Sequence, residues 1–473
     1  MKILRRIASV SPLLLLTAMI AFVPSGGAGA ASKSVGTTTT GTLTFLGSVD
    51  FREIAASSAA GAQQGAIGEF PNHPTEIDKG LLPPTTELPI PTAPNTPIAT
   101  SNPRLSSWTG LNHRDQRLAA NGQQFSLEPP DQGLCVGSVV MESVNDALMI
   151  WNKKGQVLLP APISISQAFG LPNPITRPDP LGPGGPPFGP FVSDPKCYFD
   201  ADTGHWFSTV LEIDLDPDTG AFGDAGETLI AVTKGKSPLG VWNIYALDAT
   251  DPDHPNCPCF GDQPLIGADQ FGFYVSTAEY SLDPFGAFAN FAQLYAIDKA
   301  ALVAGDSAPS FTHFSDLGVT TSATLQPATS PGGVYETGNG GTEFLVSGYD
   351  CGPPACAIVP GQQEQLDVWA LTGTSSIPTG GGSLDLEMTT VPTEVYGQPI
   401  PMKQKDGPHP LATLLGDSLE KLNANDDRVN QVVFAEGKLW TGVNTAVQTG
   451  VQVKTGIAWF VFIPTAGEGS VSA

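Results

Sequence analysis

Four aspartates recur at similar intervals along the chain, and each opens the same kind of segment. They are Asp131, Asp194, Asp262 and Asp427. The first two are 63 residues apart, and the second and third are 68 apart. Each is followed by a strand-like run and a second run, with a tight turn between them such as Glu436-Gly437 in the last copy. These carboxylates are the residues most suited to chemistry.

If the four aspartates begin the innermost strands of a repeated fold, they surround one end of a central channel. Such a ring can bind a cation such as calcium through carboxylate oxygens. It can also hold a hydroxyl-rich sugar through charge-assisted hydrogen bonds. Two carboxylates about 5–10 Å apart can hydrolyse a glycoside, and a glutamate near the end of a second strand can act as the acid of raised pKa. The candidates for that acid are Glu142, Glu279 and Glu343.

A structural role is the alternative for the aspartates. An aspartate at the start of a strand accepts hydrogen bonds from backbone N–H groups and fixes a turn. Catalysis needs particular residues, whereas this residue type recurs from unit to unit, so the repeat favours the structural role.

Two shorter motifs add candidate ligands. Asp214, Asp216 and Asp218 alternate as the oxygen ligands of a calcium loop do, although the spacing departs from that of an EF-hand. A hairpin tip with solvated acids is the alternative. His113 and Arg114 precede the first unit, where a loop can cover the channel and contact a ligand, and a surface ion pair is the alternative.

The six cysteines predict disulfides, because an even count in an exported chain is typical of them. Cys351 and Cys356 are predicted to close a local loop, whereas the pairing of the other four stays open. The run His254-Pro-Asn-Cys257-Pro-Cys259 is also similar to a zinc cluster, but an oxidising compartment favours a disulfide there.

Residues 1–30 predict a cleaved signal peptide. Three basic residues precede an apolar core that is too short to span a membrane, and Ala28-Gly29-Ala30 fits the cleavage pattern. We therefore expect a secreted protein, extracellular or periplasmic, without a membrane span.

Charge limits the partners. Without the signal peptide, 19 basic residues stand against 46 acidic ones. Such a field repels phosphate backbones and anionic lipid surfaces, which argues against nucleic acid and membranes as partners. Extracellular glycans, proteins and cations remain, and we expect a monomer.

The composition predicts an all-β domain behind a linker. Charged residues make up 14% of the chain, with 53 Gly and 44 Pro, which favours short strands and turns. Residues 31–104 are rich in Thr, Ser, Ala, Gly and Pro and predict a disordered linker. The exception is Thr42-Leu-Thr-Phe-Leu46, which alternates like a strand and either joins the main sheets or stays loose. The domain is expected over residues 105–464 and a flexible tail over residues 465–473.

A second motif follows each opening pair of strands, as in Leu148-Met-Ile-Trp-Asn152 and Leu294-Tyr-Ala-Ile-Asp298. Five copies of a four-stranded unit predict a five-bladed β-propeller, since each blade needs neighbours on both faces. Six or seven blades are the alternative if residues 376–425 contain a further copy. The recurring tryptophans are then predicted to fill the core between blades. They are Trp151, Trp206, Trp242, Trp369, Trp440 and Trp459.

Several blocks resemble a family of secreted microbial proteins with propeller-type repeats, for which no activity is established. The resemblance covers most of residues 105–464 and implies the architecture without adding a catalytic residue. The blocks that carry it are Gly110-Leu-Asn-His-Arg-Asp-Gln116, Glu128-Pro-Pro-Asp-Gln132, Val144-Asn-Asp-Ala147, Cys257-Pro-Cys-Phe-Gly-Asp262 and Gly340-Gly-Thr-Glu343.

Three functions remain open from the sequence. The leading one is a secreted binding protein, stabilised by calcium, that holds a glycan or another extracellular ligand at the channel mouth. The second is a glycoside hydrolase or lyase that uses the channel carboxylates, and the third is a structural or surface-interaction module.

Overall fold

The strands of each repeated unit lie side by side in the order in which they occur in the chain. We describe them from a computed structural model. The described residues are 33–34, 36–61, 107–127, 131–178, 184–283, 291–317, 324–348, 362–402, 424–467 and 470–473. The predicted signal peptide, residues 1–30, lies outside them. Among the residues described, no helix is long and apolar enough to cross a membrane.

The N-terminal elements are three strands and two helices. They are β1 (Lys33–Ser34), β2 (Thr37–Thr42), β3 (Thr44–Asp50), α1 (Phe51–Gly61) and α2 (His113–Gly122).

Five meanders follow. Blade 1 contains β4 (Gln132–Val136), β5 (Val140–Val144), β6 (Ala147–Trp151) and β7 (Ile163–Ser164), followed by α3 (Ile165–Ala168). Blade 2 contains β8 (Phe191–Phe199), β9 (Trp206–Leu215), β10 (Phe222–Thr233) and β11 (Val241–Asp248). Blade 3 contains β12 (Cys259–Ala268), β13 (Gly272–Ser281), β14 (Phe291–Asp298), α4 (Lys299–Ala304) and β15 (Ser310–Ser315). Blade 4 contains β16 (Leu325–Thr329), β17 (Thr342–Ser347), β18 (Gln362–Thr372) and β19 (Asp385–Gly397). Blade 5 contains β20 (Val432–Ala435), β21 (Lys438–Thr449) and β22 (Gln452–Phe462), and a last hairpin contains β23 (Thr465–Gly467) and β24 (Ser470–Ser472).

The prediction of a five-bladed β-propeller is confirmed. Within every blade, neighbouring strands pair antiparallel in chain order. The first strands β4, β8, β12, β16 and β20 are the inner strands, and β16 runs parallel to β20, with Ala328 opposite Val432. Consecutive inner strands therefore run in the same direction. Residues near their starts share one end of the propeller, which we call the amino end, and the opposite end is the carboxyl end.

The N-terminal strands extend the outer edges of three blades. Strand β3 pairs with β11, β2 with β15, and β1 with β19, all antiparallel. An outer strand leaves backbone N–H and C=O groups open to a further strand, and a threonine-rich run suits strand geometry. The predicted disorder is therefore wrong for residues 36–61, which carry folded elements, and the strand-like run Thr42–Leu46 joins the main sheets in β2 and β3. Residues 62–104 lie outside the described residues. The predicted tail over 465–473 likewise contains the hairpin of β23 and β24, with Val471 buried.

Apolar clusters fill the junctions between consecutive blades from blade 1 to blade 5. Phe51 of α1 joins the first of them and stacks on Trp242 with ring centroids 4.8 Å apart. The prediction that tryptophans form this core is confirmed for the four of blades 1, 2 and 4. It is wrong for Trp440 and Trp459, which are 40% and 70% exposed. Their neighbours Leu439 and Val443 pack toward blade 4, so both tryptophans lie on the face turned away from it.

The four cysteines whose pairing was open form two disulfides. Cys135 of β4 is bonded to Cys197 of β8, which joins the inner strands of blades 1 and 2. Cys257 is bonded to Cys259. The predicted pair Cys351–Cys356 lies outside the described residues.

Candidate functional site

The four aspartates lie at the amino end of the propeller. Asp131 directly precedes β4, and Asp427 precedes β20. Asp194 and Asp262 lie within the first halves of β8 and β12. The structure therefore places the four aspartates at one end of the inner strands, as predicted. However, they do not all occupy equivalent positions in their blades.

Two of the inner strands carry a β-bulge beside their aspartate. The pairing of β8 shifts register after Ser193, and that of β12 shifts after Asp262. Asp194 has a φ of 56° and Gln263 a φ of 46°, and each precedes a proline. Proline has no N–H to give to a ladder and suits a bulge, and a bulge re-aims the neighbouring side chains. Asp194 is therefore equivalent to Gln263 and not to Asp262, and the residue-before-proline pattern was the signal that could have shown it.

Asp194 joins blades 2 and 3. It is 6% exposed. The Ser193 hydroxyl donates to one carboxylate oxygen at 3.2 Å, and the backbone N–H of Gln263 donates to the other at 3.2 Å. These contacts correspond to the structural role that was the alternative for the repeated aspartates.

Asp131 is held by the turn that follows β5. The Asn145 amide donates to the Asp131 carboxylate at 3.2 Å, and the backbone N–H of Asp131 donates to the Asn145 side-chain oxygen at 2.9 Å. Asn145 is buried, with its amide 3.5 Å from the Ser193 hydroxyl. Asp131 itself remains partly exposed, so a scaffold fixes its carboxylate without covering it.

Arg428 connects blade 5 to blade 3. Its guanidinium forms a two-pronged ion pair with Asp426, with Nε 2.7 and 2.8 Å from the two carboxylate oxygens. Its Nη1 donates to the side-chain oxygen of Gln263 at 3.0 Å. Blades 1, 2, 3 and 5 thus contribute to one polar network. We call it the polar ring: Asp131, Asn145, Ser193, Asp194, Gln263, Asp426 and Arg428.

Asp427 lies behind the ring. It is 3% exposed and accepts a hydrogen bond from the Gln398 amide at 2.9 Å. Burial and the charge of Asp426 raise the pKa of Asp427 to about 7. A buried carboxyl that takes up a proton near neutral pH therefore lies next to Asp426, which is paired with Arg428.

Glu343 lies at the carboxyl end, away from the ring, so its predicted place among the channel acids is wrong. It is the second residue of β17, which starts at that end because β17 runs antiparallel to β16. Burial, and then the charge of Asp269, raise its pKa well above the ordinary value. A buried ion pair forms nearby, with Lys299 Nζ 3.4 Å from an Asp200 carboxylate oxygen.

The other two glutamates differ in position. Glu279 lies near the end of β13 at the amino end, is 2% exposed and contacts His254. Glu142 lies in the middle of β5 and accepts a hydrogen bond from the Leu111 backbone N–H at 3.0 Å. Burial raises the pKa of Glu142. Of the three predicted acids, only Glu279 belongs to the amino end.

The predicted ligand residues His113 and Arg114 form the start of α2. Asn112 and Asp115 cap this helix with reciprocal hydrogen bonds, and Arg114 is exposed. Burial raises the pKa of the fully buried Asp146 at the β5–β6 turn well above its ordinary value, and the nearby His113 opposes that rise. Both residues therefore lie beside blade 1 and outside the polar ring.

The predicted calcium ligands lie on the β9–β10 hairpin and are exposed. One carboxylate oxygen of Asp216 accepts hydrogen bonds from the backbone N–H groups of Asp218 and Thr219, at 3.1 and 2.8 Å. Within the described part of the chain, the three carboxylates of Asp214, Asp216 and Asp218 do not form a group of converging ligand atoms. Their arrangement is that of the alternative, a hairpin tip with solvated acids.

Comparison with known proteins adds fold likenesses only. No protein-family model and no curated protein is similar to this chain. A GH43 β-1,3-galactosidase structure aligns at a TM-score of 0.32 and 9% identity, over 75% of this chain and 95% of that one. An exo-β-1,3-galactanase from Clostridium thermocellum aligns at 0.31 and 10%, over 75% and 62%. A Trypanosoma rangeli sialidase aligns at 0.32 and 10%, over 70% and 44%. Likenesses at these scores assign no activity to this chain.

Proposed function

We propose that this protein is a secreted glycan-binding β-propeller whose site is the polar ring at the amino end. The observation that supports it is the network itself, in which partly exposed carboxylates are fixed by buried side chains of four blades. Sugar hydroxyls are bound well by charged groups held in place, because little side-chain freedom is lost on binding.

Exposed aromatic rings on blade 5 support the same proposal. Trp459 lies opposite Gly442, which follows Thr441, the partner of the first residue of β20. Trp459 is therefore level with the amino end of the inner strand, where Arg428 and Asp426 lie. A sugar has an apolar C–H face and polar hydroxyl groups. The exposed ring of Trp459 can pack against the C–H face, and the nearby carboxylates can accept hydrogen bonds from the hydroxyl groups.

A glycan panel tests the proposal. The protein without residues 1–30 would be titrated with soluble polysaccharides by calorimetry and by the change in tryptophan fluorescence. Asp426→Asn and Trp459→Ala should each weaken binding at least tenfold, since a hydrogen bond to a charged group contributes about 1.5–3 kcal/mol. Asp218→Asn makes the same charge change on the exposed β9–β10 hairpin, outside the polar ring, and should bind as the wild type does.

Hydrolysis is the second candidate, and Asp427 is the observation that favours it. Asp427 has a raised pKa and lies beside Asp426, whose carboxylate is paired with Arg428, and two carboxyls in unequal environments are what acid–base catalysis uses. Release of reducing sugar that is lost in Asp427→Asn would identify a hydrolase. Glycan binding without sugar release would support the glycan-binding proposal. Absence of both binding and release would indicate a structural module.

Calcium is a proposal that rests on the sequence. Melting of the protein in calcium and in EDTA tests it, and a binding ion should raise the melting temperature by mass action. If the rise in melting temperature on adding calcium is the same in Asp216→Asn as in the wild type, the ion binds outside the β9–β10 hairpin.

A further inference from the structure

Three potential metal ligands converge at the amino end of blade 3, apart from the polar ring. His254 and Cys257 lie in the connection between β11 and β12, and Glu279 lies near the end of β13. A ring nitrogen of His254, the sulfur of Cys257 and a carboxylate oxygen of Glu279 all lie within 4.8 Å of one another. Imidazole, thiolate and carboxylate are the ligands of zinc sites.

The imidazole of His254 is oriented as metal-binding histidines are. Its Nδ1 lies 2.9 Å from a Glu279 oxygen, and its Nε2 lies 3.2 Å from an Asp316 oxygen. The Thr37 hydroxyl fixes the other oxygen of Asp316 at 2.9 Å. When Nε2–H donates to Asp316, Nδ1 is left as the metal-binding nitrogen. A carboxylate behind the histidine in this way holds the ring and strengthens it as a ligand.

The disulfide decides whether the third ligand exists. Cys257 is bonded to Cys259 in the structure, and a disulfide sulfur is a poor zinc ligand because thiolates, not disulfides, bind the ion. Cys257 is partly exposed, whereas Cys259 is fully buried. Attack by an external thiolate on Cys257 is therefore sterically possible.

We propose that reduction of the Cys257–Cys259 disulfide creates a binding site for zinc or another thiophilic divalent cation. An external dithiol breaks the S–S bond, becomes a cyclic disulfide itself and leaves two protein thiols. The cation then replaces the thiol proton of Cys257 and binds that sulfur, the free Nδ1 of His254 and a carboxylate oxygen of Glu279. The site couples redox state to metal content and does not depend on glycan binding.

Zinc titration of the protein without residues 1–30 tests the proposal, with a chromophoric chelator as competitor. Because Cys351 and Cys356 are predicted to form a disulfide that a reductant would open, the background is Cys351→Ser/Cys356→Ser. Reduced protein should bind one zinc ion and oxidised protein none at the same concentration. Cobalt in place of zinc should give a sulfur-to-metal charge-transfer absorption, which a site without thiolate would not show.

One variant removes the need for a reductant. Cys259→Ser leaves Cys257 as a thiol in any buffer and should bind cobalt with that absorption, provided that its melting temperature shows a folded protein. His254→Ala or Glu279→Gln in the reduced background should weaken zinc binding at least tenfold. The matched control is Cys135→Ser/Cys197→Ser, which removes the other described disulfide and should bind as its parent does. Equal zinc affinity before and after reduction, or unchanged affinity in His254→Ala, would overturn the proposal.

Discussion

Glu212 offers a direct test of how burial controls protonation near the amino end. It lies in β9 opposite Glu227 of β10, which in turn lies opposite Asp248 of β11. Like charges placed opposite each other on a sheet destabilise it, and Glu212 is 6% exposed. Burial, and then the charges of Glu227 and Asp214, raise its pKa from 4.5 to about 8.

The sign and size of the effect follow from proton linkage. Between pH 4.5 and about 8 the folded state keeps a proton on Glu212 that the unfolded chain has released, so stability falls as pH rises. The slope is about 1.4 kcal/mol per pH unit, and from pH 4.5 to 7 this amounts to about 3 kcal/mol. Glu212→Gln replaces the protonated carboxyl by an amide of similar shape and removes this loss. The variant should match the wild type at pH 4.5 and exceed it by about 3 kcal/mol at pH 7.

Urea unfolding of both proteins at pH 4.5, 6, 7 and 8 measures the difference. Other buried acids titrate in both proteins, so their effects cancel when the two curves are subtracted. Glu394→Gln, at an exposed position, is the control and should stay parallel to the wild type. If Glu212→Gln also runs parallel to the wild type over this pH range, Glu212 is not protonated in the folded state and the argument fails.

Three further predictions concern stability, each read from the melting temperature and urea unfolding. Phe51→Ala should cost about 3–5 kcal/mol, because it removes a buried ring from the core of blades 1 and 2. Lys299→Met should cost about 3–5 kcal/mol, because it leaves the buried Asp200 without its ion-pair partner. Cys135→Ser/Cys197→Ser should cost about 4 kcal/mol through the freed chain between them, which spans a sequence separation of 62.

Exposed neighbours supply the controls. Arg52→Ala lies beside Phe51 but on the surface of α1, and Lys236→Met makes the same change as Lys299→Met at an exposed position. Both should change stability by about 0.5 kcal/mol or less. A loss in Arg52→Ala equal to that in Phe51→Ala would mean that α1 contributes through its charge and not through its packing. A neutral Lys299→Met would show that the Asp200 pair is not needed for the fold.

Local pattern was enough to predict the blades. The alternation of apolar and polar residues and the turns between paired runs act within short stretches of chain, so the units follow from the repeat. Their number was settled only by the structure, because a further copy within residues 376–425 was open from the sequence. The same holds for the shared end of the aspartates, because inner strands of successive blades run in one direction. The one-residue error at Asp262 arose because a bulge before Pro264 shifts the register in the middle of β12.

The blades with which the N-terminal strands pair could not be assigned from the sequence. Thr37–Thr42 carries no pattern that selects the edge of β15 over any other edge, since backbone N–H and C=O groups are the same on each outer strand. Only the assembled blades decide which edges are open and within reach. The exposure of Trp459 likewise depends on the assembled blades. Whether its face of blade 5 is covered depends on the elements around that face and not on the residue type.

The sequence by itself determined the repeated four-stranded unit, the common position of its aspartates and the acidic character of the surface. The tertiary structure decided the environment, and therefore the role, of each carboxyl group. Asp194 became a link between blades, Asp427 a buried acid with a raised pKa, and Glu343 a residue of the opposite end. The physical reason is that strand pattern is local, whereas desolvation and charge contacts depend on residues far apart in the chain.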